Sequence, residues 1–506
     1  MFIVMNLGFK NKQLTANQPR SAAILTARVG FEKNTNMVFE IAKQAFRSML
    51  REGRFRTAAV LLSILFVLSL FGAYDYYASL KKQHDEAAAT MREQWDNQQD
   101  KNPHSAAHYG TYVFKPIYPL SYFDRGVDAF TGNTLFLEGH RSNQTKFRAA
   151  EDQGDFARLG TLTPAFVLGM LMPLFIIVLG FGSAAAEREN GNLRLLLAQG
   201  VKPTSLFLGK SLGLWAAVLL LALPFFLAGA LGLLVAGAGG EHWLRYACTL
   251  LLYLAYFGCF IHLTLLISAW AGRQNVALVG ALGVWVFACL IVPKAAVNIA
   301  KQLHPAPNWA AYNAAIKEDL KNGVDGHDGS DVFSKKLEAE TLKKHGVDSV
   351  HKLPFNWDGF IMQKGEEHET FVFQKHKSKL LDVYQRQRQV HSTAAVFSPF
   401  VLTNILSQRL AGTDVDVYFD FLAAAERYRV KLVGELNDDL TYNFKYGDWE
   451  GKRGKAFFAN NAKFEYVPPT LDSLLADLAK PAGAMLIWLV VSGLAAVVFF
   501  NRLKPL

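Results

Sequence analysis

Six runs of apolar residues, each long enough to cross a bilayer as a helix, constrain this chain more than any other feature. They are Thr57–Leu80, Leu162–Ser183, Ser211–Gly237, Trp243–Gly272, Asn275–Val297 and Pro481–Asn501. About 20 helical residues cross the hydrocarbon core. Membrane strands are about 10 residues long and alternate in polarity, whereas these runs are apolar on every face. Composition agrees: 51% of the 506 residues are hydrophobic, 19% are charged and 38 are phenylalanine, against a charge content of about 25% in soluble domains. The expected fold class is an α-helical polytopic membrane protein, with six transmembrane helices and a mixed, mostly helical extracytoplasmic domain. Cys248, Cys259 and Cys289 all fall inside these runs and read as small apolar packing residues, not as a disulfide framework.

Basic residues flanking the runs set the orientation. Residues 1–56 hold ten Lys or Arg against three Glu, +7 of the chain's net +10, which places the N-terminus in the cytoplasm. Six crossings return the C-terminus, with Arg502 and Lys504, to the same side. The short loop around Arg273 and the segment 184–205 then also face the cytoplasm. Segments 81–161 and 298–480 lie outside, where long segments translocate regardless of their charge. The localisation expected is the bacterial inner membrane, with the large domain periplasmic.

The first 36 residues show no clear periodicity, so they read as a tail or as the product of a start upstream of the true one. From Met37 the helical wheel sorts cleanly. Val38, Ile41, Ala42, Ala45 and Met49 share one arc, and Lys43, Arg47, Arg51 and Arg54 occupy the other. Such a helix lies in the headgroup layer, so 37–56 is expected to be an interfacial helix touching membrane lipid and feeding the first span. Outside the membrane, Ser398-Pro399 has the chemistry of a helix start and Gly412 that of an end. Thr413 or Asp414 would cap a second helix through about Leu440. Extended pieces are expected around Thr111–Phe114, Thr134–Leu137 and Phe464–Val467.

The most informative stretch follows the second run: Glu187-Arg-Glu-Asn-Gly-Asn-Leu-Arg-Leu-Leu-Leu-Ala-Gln-Gly-Val-Lys-Pro203. It predicts a helix too short to span anything, with Leu193, Leu196 and Leu197 on one apolar face. A short helix fixed between two spans suits mechanical contact with a cytoplasmic partner; an ordinary hairpin connector is the alternative. This Glu-x-Glu-x-Gly-x-Leu-x-Leu-Leu pattern, with Gly209-Lys210 beyond it, resembles the coupling helix of ABC-2 type permeases. Further passages resemble a subfamily with large extracytoplasmic insertions: His104-Ser-Ala-Ala-His108-Tyr-Gly, Leu120-Ser-Tyr-Phe-Asp124-Arg-Gly126, Leu137-Glu-Gly-His140-Arg, Leu410-Ala-Gly-Thr-Asp414 and Glu426-Arg-Tyr-Arg429. The resemblance runs from Met37 to the C-terminus. It implies six spans, a dimer of separate ATPase subunits binding ATP and Mg, and a second permease subunit, identical or paralogous. It places ATPase coupling on Glu187, Glu189, Gly191, Leu193, Leu196 and Leu197. No cofactor is expected in this chain itself, and no nucleic-acid partner. Gly209-Lys210-Ser211 ends like a phosphate-binding loop, but Thr204 stands where that loop needs its first glycine, so hydrolysis is assigned to another chain.

Eleven of the 13 histidines lie in the two outer segments. His104 and His108 are four apart and share a helix face; Glu138 and His140 are two apart and share a face if that stretch is a strand. Together these four are the candidate metal ligands, with surface or packing histidines as the alternative. The Asp325, Asp328 and Asp331 run lacks the alternate oxygens of a calcium loop and reads as a solvated turn. Arg245 is expected to snorkel at the outer interface, and His262 to be a hydrogen-bonded group within the fourth span or to line a pathway. The function expected is the permease subunit of an ATP-driven exporter. A membrane-anchored, metal-dependent extracytoplasmic hydrolase is the alternative, and a sensor or scaffold a third.

Overall fold

The structure, a computed structural model, describes residues 19–143, 145 and 162–503. Six of its helices are long and apolar enough to cross a membrane: Gly53–Asp96, Pro164–Glu189, Pro203–Val235, Gly240–Trp270, Gln274–Leu303 and Leu471–Asn501. The fourth is the hub, with 61% of its most apolar stretch buried, whereas the first and sixth bury only 22% and leave apolar flanks on the outside. At 44 residues the first spanning helix is about 66 Å long, twice the hydrocarbon thickness of about 30 Å. Its far end therefore stands clear of the bilayer as a stalk.

Proline interrupts the backbone ladder in four of the spans, at Pro173, Pro224, Pro293 and Pro481, and around Pro173 and Pro293 neighbouring side chains satisfy the freed carbonyls. Pro173 and Pro293 follow π-helical turns at Val167–Leu171 and Phe287–Ile291, and a proline has no N–H for the carbonyl four residues back or, across a π-turn, five. The Tyr256 hydroxyl donates to the Gly169 carbonyl at 2.6 Å, and the Trp285 indole to the Met170 carbonyl at 3.1 Å. In the fifth span the Ala288 carbonyl accepts from Ser398 Oγ at 2.7 Å. Ser398 belongs to the outer segment, so that segment dips in among the spans. The helix Pro399–Ala411 buries Val401, Leu402, Leu406 and Leu410 in the same core as the fourth span, and the Trp488 indole of the sixth span donates to the Val396 carbonyl.

An N-terminal helix runs Pro19–Arg51 and stops at the extended residue Glu52, so it begins earlier and ends sooner than the periodicity predicted. Residues 1–18 lie outside the described residues. Ala42, Ala45 and Met49 are buried, and the helix seats on the third span at Gly209 and Gly213, where a Cβ would collide with Ile41 and Ala45. Part of the expected lipid-facing arc is thus covered by protein. Lys43, Arg47, Arg51 and Arg54 are exposed as expected.

The two outer segments share one mostly helical body. The stalk's Trp95 indole donates to the Phe458 carbonyl at 3.1 Å. Strands β1 (Thr111–Phe114) and β2 (Thr134–Leu137) pair antiparallel, Thr111 opposite Leu137. This hairpin packs Val113, Leu135 and Leu137 on Phe421 and Ala425 of the helix Val415–Asn443. Asp414 caps that helix, accepting from the Val417 N–H. Phe464–Val467 is irregular chain and not the expected strand. The Asp124-Arg-Gly126 and Gly412-Thr-Asp414 passages interlock: Ser407 Oγ donates to Asp124 at 2.5 Å, and Thr413 Oγ1 donates to the Asp124 carbonyl at 3.0 Å. At Gly126, with φ +48°, a side chain would strike the Thr413 carbonyl. Arg245 does not snorkel to water. It is buried beneath this body, paired with Glu241 at 2.8 Å and donating to the Pro469 carbonyl at 2.5 Å.

Candidate functional site

At the end of the bundle away from the outer body, the second span runs into a connector of two short helices, Ala185–Glu189 and Asn192–Ala198. Gly191 joins them at φ +74°, a left-handed turn that favours glycine. Charge fixes the first helix to its neighbours. Arg188 donates to the Ala271 carbonyl at 3.0 Å and the Ala269 carbonyl at 3.2 Å, both orphaned where the fourth span ends. Glu187 pairs with Lys210 of the third span at 2.6 Å, and Glu189 accepts from the Gln274 N–H at the start of the fifth. Ser268 Oγ takes the N–H groups of Ala184 and Ala185. The connector is thereby tied to four of the six spans.

The apolar face predicted for partner contact lies elsewhere. Leu193 is buried in its own chain, and Leu196 and Leu197 are half-buried against the core. The outward face consists of Asn192, Arg194, Leu195 and Gln199, with Leu195 62% exposed. On so short a helix the bundle below offers the larger apolar surface, and the leucines take it.

In the outer body four imidazoles converge. His104 and His108 share one face of the helix Pro103–Tyr109, which Asn102 caps. Their Nε2 atoms are 3.1 Å apart. His140 follows β2, and its Nε2 lies 3.1 Å from Nε2 of His327, in the turn before the helix Val332–His345. One ligand atom from each of the four lies within 4.8 Å of the others. Glu138 is not among them; it accepts from Asn143 Nδ2 at 2.8 Å. Alternation fails because β2 ends at Leu137 and the chain reverses at His140, whose φ of +61° is the one positive value among described non-glycine residues. His327 was missed because its partner lies 187 residues away; only its place in the Asp-Gly-His-Asp-Gly-Ser-Asp turn marked it. Asp325 accepts from the His327 and Asp328 N–H groups there.

Burial pushes His104 down to about 4, and burial with the neighbouring imidazoles lowers His108 and His327. Burial is the largest single influence on His140 and would lower it, but the hydrogen bond to Glu369 and the Glu369 and Glu366 charges together raise it. Behind the cluster, Arg429 is 1% exposed and paired with Glu366 and Glu426. Glu366 accepts from the His140 N–H at 2.9 Å; burial would raise its carboxyl, but the charge and hydrogen bond of Arg429 together with the His140 contacts hold it below the ordinary range. His262 bonds Ser492 Oγ of the sixth span at 3.3 Å.

Six spans, a connector tied to four of them and a large outer body define a multi-pass membrane protein. The comparisons make this more specific. Residues 139–313 match the family described as ABC-2 family transporter protein, and residues 310–467 match Domain of unknown function (DUF3526). The chain thus matches ABC-2 family transporter permease domains. No curated protein matches it.

Proposed function

We propose that this chain is the membrane-spanning permease subunit of an ATP-driven exporter, working with a separate ATPase dimer and a second permease subunit. The observation that carries the reading is the connector's anchorage to four spans within the residues that match the ABC-2 family. A push on such an element is delivered to the bundle as a whole, because the packed interior resists compression. ATP and Mg sit on the partner. The basic residues at this end, among them Lys43, Arg47, Arg51, Arg54, Arg188, Arg194, Lys202, Lys210 and Arg273, support a cytoplasmic face in a bacterial inner membrane and a periplasmic outer body. The work delivered outside is export of a substrate, its extraction from the outer leaflet, or movement of the outer body.

Docking falls to the exposed Leu195, flanked by Asn192, Arg194 and Gln199, while Leu193, Leu196 and Leu197 hold the connector in place. Leu195→Asp should leave insertion intact and sharply reduce both ATPase co-purification and permease-stimulated ATP hydrolysis. Asn192→Asp should do much less. ATPase capture undiminished by Leu195→Asp would remove the connector from the coupling role. For orientation, single cysteines at Ser142 and Ser330, both exposed, should react with a membrane-impermeant thiol reagent in spheroplasts. One at Asn192 should be protected until the membrane is broken.

A further inference from the structure

We propose that the outer body holds one divalent first-row transition ion, of the Zn2+ class, in a four-histidine site made by Nε2 of His104, His108, His140 and His327. The site lies between the two outer segments: the first three ligands come from one and His327 from the other.

The geometry and the surrounding hydrogen bonds agree on this. A tetrahedral shell with Zn–N of about 2.0–2.1 Å sets its ligand nitrogens about 3.3–3.4 Å apart. The His104–His108 and His140–His327 nitrogen pairs stand at 3.1 Å, and all four nitrogens lie within 4.8 Å. Two N–H···N hydrogen bonds would account for each pair but not for the pairs meeting. The buried side of the cluster fixes which nitrogen faces inward. His104 Nδ1 lies 2.8 Å from Asn437 Oδ1, and the Asn437 amide in turn donates to Gln363 at 3.0 Å. His140 Nδ1 lies 2.9 Å from the Glu369 carboxylate, which accepts only. Both rings therefore keep their proton on Nδ1 and turn the Nε2 lone pair inward, the arrangement in which a hydrogen-bond partner orients a metal-binding histidine. The exposed His108 and His327 complete the set by adopting the same tautomer.

The backbone is specialised to deliver these rings. His140 occupies the left-handed region at φ +61°, where a residue other than glycine sits under strain that the surroundings must impose; its N–H is held by Glu366 at 2.9 Å. His327 is not on a free loop. Asp325 accepts its N–H, and Gly326 lies so close to Gly365 of the helix Trp357–Ala394 that a Cβ on either glycine would crowd the other's backbone or that of Met362.

Imidazole-only ligation suits zinc, copper, nickel or cobalt and disfavours calcium and magnesium, which take oxygen. Four protein ligands close a tetrahedral shell, whereas hydrolytic zinc keeps a position open for water. The ion would therefore staple the two outer segments together, which argues against the hydrolase alternative.

The test uses full-length protein without a polyhistidine tag, stripped with chelator, reloaded with Zn2+ and desalted. Wild type should retain about one zinc per chain, and Co2+ in its place should give the visible absorption of tetrahedral cobalt. His327→Ala and His108→Ala alter exposed side chains and should fold; each should weaken zinc binding at least about tenfold, and Glu369→Gln about tenfold. Glu138→Gln should bind as wild type. Zinc should raise the Tm of wild type and not that of the His108→Ala/His327→Ala double variant. Retention below a tenth of an equivalent by wild type, or undiminished binding by the double variant, would overturn the site. Zinc content is read without any ATPase, so either result leaves the transport reading to its own test.

Discussion

The connector at one end of the bundle and the histidine cluster at the other are both secured by charged side chains, but against different things. Connector charges grip backbone carbonyls and neighbouring helix ends, nearly all within residues 184–274. The outer cluster is held by side chains gathered from residues 104–437, with a buried arginine and two glutamates behind it. A device made of local contacts moves as one piece with its spans, which suits transmission. A device made of distant contacts exists only while its segments are docked, which suits a staple. The difference predicts how much each end loses when one charge is removed.

The outer end should lose most. Arg429 is buried and paired with Glu366 and Glu426 while also donating to Thr370 at 2.9 Å. Arg429→Ala would strand the buried Glu366 carboxylate and leave the partly exposed Glu426 unpaired, and breaking a buried pair from one side costs about 3–5 kcal/mol. The outer body should then become protease-sensitive well below the wild-type Tm while the spans stay inserted. Unchanged protease resistance would mean that the two segments dock without this pair.

The same contrast explains what the sequence made legible. Spans and connector are local patterns: an apolar run of about 20 residues, or a short half-apolar helix between two such runs, is visible in one window, although the one helix expected after the second span is divided in two at Gly191. The interlock of Asp124-Arg-Gly126 with Thr413-Asp414 and the arrival of His327 beside His140 are tertiary events that no window contains. Two local rules failed for stated reasons. Alternation carried Glu138 into the cluster, but β2 stops before it and the chain reverses at His140. Helical periodicity identified Leu193, Leu196 and Leu197 as one face, yet could not say whether a partner or the chain's own bundle would cover it.

At the connector a smaller loss is expected from Arg188. Its guanidinium satisfies two carbonyls at the end of the fourth span, and a hydrogen bond from a charged donor contributes about 1.5–3 kcal/mol. Water can reach part of this site, so Arg188→Ala should cost about 1–3 kcal/mol in total. Expression and insertion should persist. Stimulated ATP hydrolysis should fall more than ATPase binding, because the docking face survives while its tie to the fourth span is cut. Equal losses of binding and stimulation would show that Arg188 shapes the docking face itself.

The smallest effect belongs to Glu187 and Lys210, although their 2.6 Å pair is shorter than either Arg188 contact. Both side chains are partly exposed, at 23% and 16%, and a solvent-reached pair contributes about 0–1 kcal/mol, less at high salt. Glu187→Gln keeps the shape and a hydrogen-bond acceptor for Lys210 while removing the charge. Its Tm should fall by no more than a few degrees, and that small difference should shrink as salt rises. Arg188→Ala should keep its deficit in high salt, because its partners are carbonyls in a half-buried niche and not mobile charges. A salt-insensitive loss in Glu187→Gln as large as that of Arg188→Ala would mean that the ion pair carries force between the second and third spans, and the connector would then be anchored chiefly by charge pairing and not by its grip on the backbone.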